Sequence, residues 1–194
     1  MGKSITKEEI SSFEIEEFPG EIYVIDNPVD SRKAVRYLSQ FKLLGFDTET
    51  RPSFTRGLLR SVALVQISTS NICFLFRLKK CEFPLSLINL LSNPEILKIG
   101  LSLKDDFLSM SRSFKFSPKG FVDLQKIVLK HDIEDLGLQK IYAILFQKKI
   151  SKNQRLTNWE AEELSEAQKK YAALDAWACL KIYEYLCLSV CSHT

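Results

Sequence analysis

The stretch FDTET places Asp47 and Glu49 two residues apart at the end of an apolar run, LLGF (43–46). A strand sends alternate side chains to one face, so an extended backbone sets these carboxylates side by side. Alone, such a pair fits a solvated strand end equally well. A third acid comes from KIGLSLKDDF, as Asp105 or Asp106, shortly after a glycine. The fourth lies in YAALDAWACLKIY, where Tyr171 and Asp175 are four residues apart and share one face of a helix. Ala178 and Ile182 continue that face, which marks it as inward. A buried carboxylate needs a partner, and divalent cations would neutralise all four acids together. Hard oxygen donors favour Mg2+ or Mn2+. Two such ions about 4 Å apart can hold the attacking water and the leaving oxygen of a phosphodiester in line. Tyr171 is then placed to align the water. This chemistry needs no histidine, serine nucleophile or thiol.

Periodicity chooses between the adjacent aspartates. Leu103, Phe107, Met110 and Phe114 recur at helical spacing and define an apolar stripe. At about 100° per residue, Asp106 falls about 70° from the stripe centre and Asp105 about 170° away. Asp106 therefore reaches a cleft beside the core, and Asp105 points to solvent.

These side chains need a sheet and helices to hold them. IYVID (22–26) reads as a strand, and the segment after Pro28 as a helix to about Gln40. FKLLGFDTE (41–49) is a second strand, and 51–60 a polar loop. SVALVQIST (61–69) and ICFLFRL (72–78) form a hairpin across Ser70-Asn71. Pro84 opens a helix that stops before Asn93-Pro94. A strand at 95–100, a helix at 103–114 and a strand at 121–124 follow. Helices are expected over 124–130, 135–146 and 165–190, with a polar loop at 148–160. The reading is a single α/β domain over 21–194 with a mixed sheet, preceded by a flexible charged leader over 1–20.

Composition excludes several classes. The 194 residues carry 27 basic and 24 acidic side chains, a net charge of +3 that neither demands nor excludes a polyanion. No run approaches the roughly 18 apolar residues of a membrane span, and the polar N-terminus is not a secretory signal. The five cysteines form no C-x-x-C pair, which argues against a disulfide framework or zinc site and for a cytoplasmic protein. His131 and His193 are isolated.

In order, FDTET, SVALVQIST, KIGLSLKDD and YAALDAWACLKIY resemble the motifs of the DEDD-superfamily 3′–5′ exonucleases. That group includes ribonuclease D and the exonuclease domain of the Werner syndrome protein. The resemblance covers roughly 20–190 and implies a ribonuclease-H-like mixed sheet flanked by helices. It implies that Asp47 bridges two divalent cations, that Glu49 and Asp175 hold the water-activating ion, and that Asp106 supports the second. Tyr171 implies the tyrosine subclass. The implied activity is hydrolysis of DNA or RNA from a 3′ end to nucleoside 5′-monophosphates, in DNA repair or RNA processing. An RNA 3′-end processing ribonuclease and a non-catalytic nucleic-acid-binding module are the alternatives. The implied partner is a single strand or duplex end, with no membrane. Candidate substrate contacts are Thr48 within the first motif and nearby basic and aromatic residues: Arg51, Phe54 and Arg56 after the first motif, and Arg155 before the third. Trp159 and Trp177 read as packing residues.

Overall fold

The computed structural model describes residues 2–52, 61–81, 84–112 and 114–188. In chain order the elements are α1 (Lys7–Ser11), β1 (Glu21–Ile25), α2 (Pro28–Leu38), β2 (Leu43–Thr50), β3 (Val62–Ser68) and β4 (Ile72–Arg77). Then come α3 (Leu78–Cys81), α4 (Leu85–Leu91), β5 (Leu97–Gly100), α5 (Leu103–Ser111) and β6 (Phe121–Asp123). Last are α6 (Leu124–Val128), α7 (Leu138–Phe146) and α8 (Glu166–Tyr183), which continues as a π-helical turn over Glu184–Leu188. Helix α5 ends a turn earlier than its apolar stripe suggests, although the Phe114 amide still donates to the Met110 carbonyl.

Six strands form one mixed sheet in the order β1-β4-β3-β2-β5-β6. The β2–β3–β4 meander is antiparallel, while β1 joins β4, and β5 and β6 extend from β2, in parallel. The expected ribonuclease-H-like architecture is what the chain adopts. One sheet face packs Leu44, Phe46, Val65, Ile67, Phe74 and Phe76 in a core with α2, α4 and α5. The other face meets α8 through Leu64, Leu75, Ala172 and Ala173. Within β5, Lys98 is fully buried, and its Nζ donates to the carbonyls of Leu90, Asn93 and Ile96 at 3.3, 2.7 and 2.8 Å.

The α8 face carries alanines because β2 comes unusually close. A Cβ on Gly45 would overlap the Ala176 carbonyl oxygen. With no side chain at 45, the helix backbone rests directly on the strand. The β2–β3 register stays regular from Gly45 to Glu49 and shifts only between Glu49 and Thr50. Asp47 and Glu49 therefore keep the strand alternation that puts both on the α8 face.

Residues 2–20, read from the sequence as a flexible leader, pack against the domain. Thr6 caps α1 in a capping box with Glu9, and Ile10 is buried. Lys3 and Ile15 bridge in parallel to Ile133 and Lys149. Glu16 is buried and accepts from Tyr142 Oη (2.6 Å), Lys148 Nζ (3.1 Å) and Lys181 Nζ (3.2 Å). Phe18 meets the edge of Trp177 at 5.9 Å. A charged, short-helix segment gives no periodic signal for such docking, since its partners are more than a hundred residues away.

Gly45→Ala is expected to cost about 1–3 kcal/mol, as overpacking against a backbone atom does. Chemical denaturation checks this; an unchanged midpoint would mean that α8 can retreat without loss.

Candidate active site

The direct seating of α8 on β2 gathers three acids from two elements. Ligand atoms of Asp47, Glu49 and Asp175 all lie within 4.8 Å of one another. Asp47 and Glu49 are half-buried, and Asp175 is buried. Asp175 Oδ1 has no hydrogen-bond partner. Three carboxylates this close repel unless protons or a cation intervene. The donor set is all oxygen, and one buried oxygen is unpaired, so these residues fit a hard divalent cation.

Asp106 arrives from the other side. The Ser102 and Leu103 amides donate to the Asp123 carboxylate at 3.2 and 3.1 Å, which anchors the start of α5. Ser102 adopts a left-handed φ of 60° at this turn. Three residues into α5, Asp106 accepts a short hydrogen bond from the Thr48 hydroxyl. It lines the same cavity as Asp47, Asp175 and Tyr171, a space of about 420 Å³. Asp105 is exposed at the rim of that cavity.

The electrostatics reflect this crowding. Burial, then the charges of Asp175, Asp106 and Glu49, push the Asp47 carboxyl well above the carboxylate range. Burial with the Asp175 and Asp106 charges raises Glu49 to about 9, opposed by Arg155. Burial raises Asp175 to about 7, opposed by a hydrogen bond from Tyr171 and the charge of Lys152. Asp106 is raised to about 6 by burial, opposed by the Thr48 hydroxyl. Burial and the Asp175 and Glu49 charges raise the Tyr171 phenol, so it keeps its proton at neutral pH.

The candidate substrate contacts divide. Arg155 lines the cavity. Thr48 is engaged with Asp106, as a support for that acid. Arg51 pairs with Glu160 at 3.6 Å, a carboxylate that Lys79 also holds at 2.8 Å. Phe54 and Arg56 lie outside the described residues. In the basic stretch 148–155, Lys148 and Lys149 dock the N-terminal segment, while Lys152 joins Arg155 at the cavity. A run of charges does not reveal which of its members turn inward. Gln139, Leu138 and Ser102 also line the cavity, and nothing in their local sequence marks them. Trp159 is fully buried, 6.0 Å from the Tyr171 ring, and Trp177 is buried with its Nε1 on the Ser70 carbonyl (3.2 Å). No helix among the described residues is long and apolar enough to cross a membrane.

A family model described as 3′–5′ exonuclease matches residues 22–190. The exonuclease 3′–5′ domain-containing protein 2 of Drosophila melanogaster is 33% identical over 151 residues, covering 76% of this chain and 26% of that protein. The bifunctional 3′–5′ exonuclease/ATP-dependent helicase WRN of Mus musculus is 32% identical over 180 residues, covering 88% and 13%. The chain thus spans only about a quarter and an eighth of these relatives' lengths. Among solved structures, Escherichia coli RNase D superposes with a TM-score of 0.78 at 21% identity, covering 88% of this chain and 45% of that one.

The crowded acids fix the pH dependence of the metal-free protein. Unfolded carboxyls titrate near about 4, whereas Asp106, Asp175 and Glu49 titrate at about 6, 7 and 9 when folded. Between these limits the folded state binds more protons, so its stability falls as pH rises. Glu16, held low by its donors, acts only at the acid end, and Lys98, lowered to about 8 by burial, opposes the trend only from about pH 8 upward. The melting temperature in chelator is expected to fall from pH 5 to pH 8, and saturating Mg2+ to raise it most at the upper end. A flat profile would show that the acids do not share one repulsive site.

Proposed function

Since this chain belongs to the 3′–5′ exonuclease family, we propose that it removes nucleotides from the 3′ end of a nucleic-acid strand and releases nucleoside 5′-monophosphates. The observation that carries this reading is the meeting of Asp47, Glu49 and Asp175 within 4.8 Å, with Asp47 and Asp175 lining one cavity together with Asp106 and Tyr171. Asp47, Glu49 and Asp175 would hold one divalent cation, and Asp106 with Asp47 a second. When bound, Mg2+ or Mn2+ neutralises the acids, acidifies the attacking water and offsets charge on the phosphate.

The chain's own residues do the rest. The Tyr171 phenol, kept protonated, donates to the incoming water and orients it toward phosphorus. The water oxygen forms the new P–O bond and gives up a proton to bulk water as the bond to the 3′ oxygen breaks, and that oxygen takes up a proton from solvent, so the shortened strand leaves with a 3′ hydroxyl. Arg155 and Lys152 supply positive charge at the mouth of a cavity otherwise dominated by acids, where a phosphodiester approaches. Thr48 holds the Asp106 rotamer. The N-terminal segment and the sheet domain work as one unit, because Glu16 and Phe18 pack on α7 and α8. Cys73, Cys179 and Cys187 are thiols, which supports a reducing compartment such as the cytoplasm.

A 5′-labelled single strand incubated with Mn2+ is expected to give a descending ladder. Early release of the label as a mononucleotide would reverse the polarity, and full activity in excess chelator would remove the metal. Parallel DNA and RNA strands assign the sugar preference.

Four substitutions assign the acids, and a fifth the phenol. Asp47→Asn, Asp175→Asn and Asp106→Asn should each leave a folded, nearly inactive protein, while Asp105→Asn stays near wild type. Tyr171→Phe should lower kcat by about 10- to 1,000-fold with metal affinity kept. An unchanged rate in Tyr171→Phe would make it a packing residue.

A further inference from the structure

Gln66 lies in the middle of β3, fully buried, and neither its Nε2 nor its Oε1 has a hydrogen-bond partner. A buried amide without partners costs stability, and an apolar residue would suit this strand better. The sheet register says what the amide faces. Gln66 pairs with Asp47 on β2 and with Leu75 on β4. Residues directly across a ladder stand on the same face, within reach of one another. Along its own strand, Leu64 and Ser68 share that face. Leu64 and Leu75 are apolar, and the Ser68 hydroxyl is committed to the Thr69 carbonyl. The helix above presents Ala172 and Ala173 to this layer. Asp47 is therefore the anionic acceptor among these neighbours, the one to which an N–H donor binds most strongly. Asp175 Oδ1, in the same carboxylate group, is also buried and unpaired.

We propose that Gln66 is a positioning residue for Asp47. Its side-chain NH2 donates to the Asp47 carboxylate when the acids hold a cation, and fixes the rotamer in which Asp47 meets Glu49 and Asp175. The inference rests on reading those acids as a metal site. An amide suits the task, since it donates without adding charge to a crowded anionic group. A glutamate at 66 would add a further negative charge, and an apolar side chain would leave Asp47 free to swing away. Partners behind the ligands commonly orient them in this way.

The test uses Gln66→Met, which keeps length and flexibility and removes the polar atoms. In chelator its melting temperature is expected to rise, because the unpaired amide is gone. Its Mn2+ affinity by calorimetry is expected to fall about 10- to 100-fold, with kcat partly restored by excess Mn2+. A higher melting temperature with unchanged Mn2+ affinity would overturn the proposal and leave Gln66 a packing residue. Should the variant not fold, the wild-type protein still decides. The Gln66 side-chain amide resonances are expected to shift, and to exchange more slowly with solvent, on Mg2+ addition. Resonances that do not move would overturn the assignment. Asp47→Asn in the same calorimetry separates the two levels. If it abolishes Mn2+ binding while Gln66→Met does not, the role of Gln66 alone fails. If neither changes binding, the metal reading of the site fails with it.

Discussion

The contact on which the site depends is the backbone of α8 resting on β2 at Gly45. A helix normally stands off a sheet by the thickness of two side-chain layers. Here one layer is missing at Gly45, and the facing helix surface is built from alanines. The helix is thereby lowered until Asp175 comes within ligand distance of Asp47 and Glu49. A larger residue at 45 would move the third acid away and relax the repulsion among all three. The anionic cluster is thus held together by apolar burial on either side of it, against its own electrostatics.

Buried charge appears elsewhere in the fold, with the opposite outcome. Glu16 is buried but receives three donors, and its carboxyl is held low. Lys98 is buried without an acid, but three carbonyls accept hydrogen bonds from its Nζ. Those groups are satisfied within the protein. At the cavity, Asp47, Glu49 and Asp175 are raised, and Asp175 keeps an unpaired oxygen. Buried polar groups are ordinarily paired, and an all-oxygen set left incomplete beside an open cavity fits a hard cation.

Much of the site is legible in the order of its residues. The two-residue spacing of Asp47 and Glu49 matches strand alternation, and β2 stays regular long enough to honour it. The four-residue spacing of Tyr171 and Asp175 matches the helix. The apolar stripe of α5 separates Asp106 from Asp105, and Asp106 is the one that reaches Thr48. The features that stay hidden depend on distant partners. Gln66 lies in a strand run, SVALVQIST, and nothing in that run tells that its amide is buried without a partner. Lys98 lies in a segment whose sequence shows a strand but not what its lysine meets, and it is fully buried. The stretch at 148–155 reads as one basic loop, and only its packing sends Lys152 and Arg155 to the cavity and Lys148 to Glu16.

The Glu16 cluster also bears on how a fragment of this protein should be cut. The family match begins at residue 22, six residues after the carboxylate on which Tyr142, Lys148 and Lys181 converge. A truncation made at that boundary removes the anion that Lys148 and Lys181 share and leaves the Lys181 ammonium against the Tyr142 and Trp177 rings without a carboxylate. Both lysines come from elements that also carry the site, one at the start of the loop leading to Lys152 and Arg155, the other on α8 itself. A fragment that keeps Glu16 together with its three donors therefore starts upstream of the residue at which the family match begins.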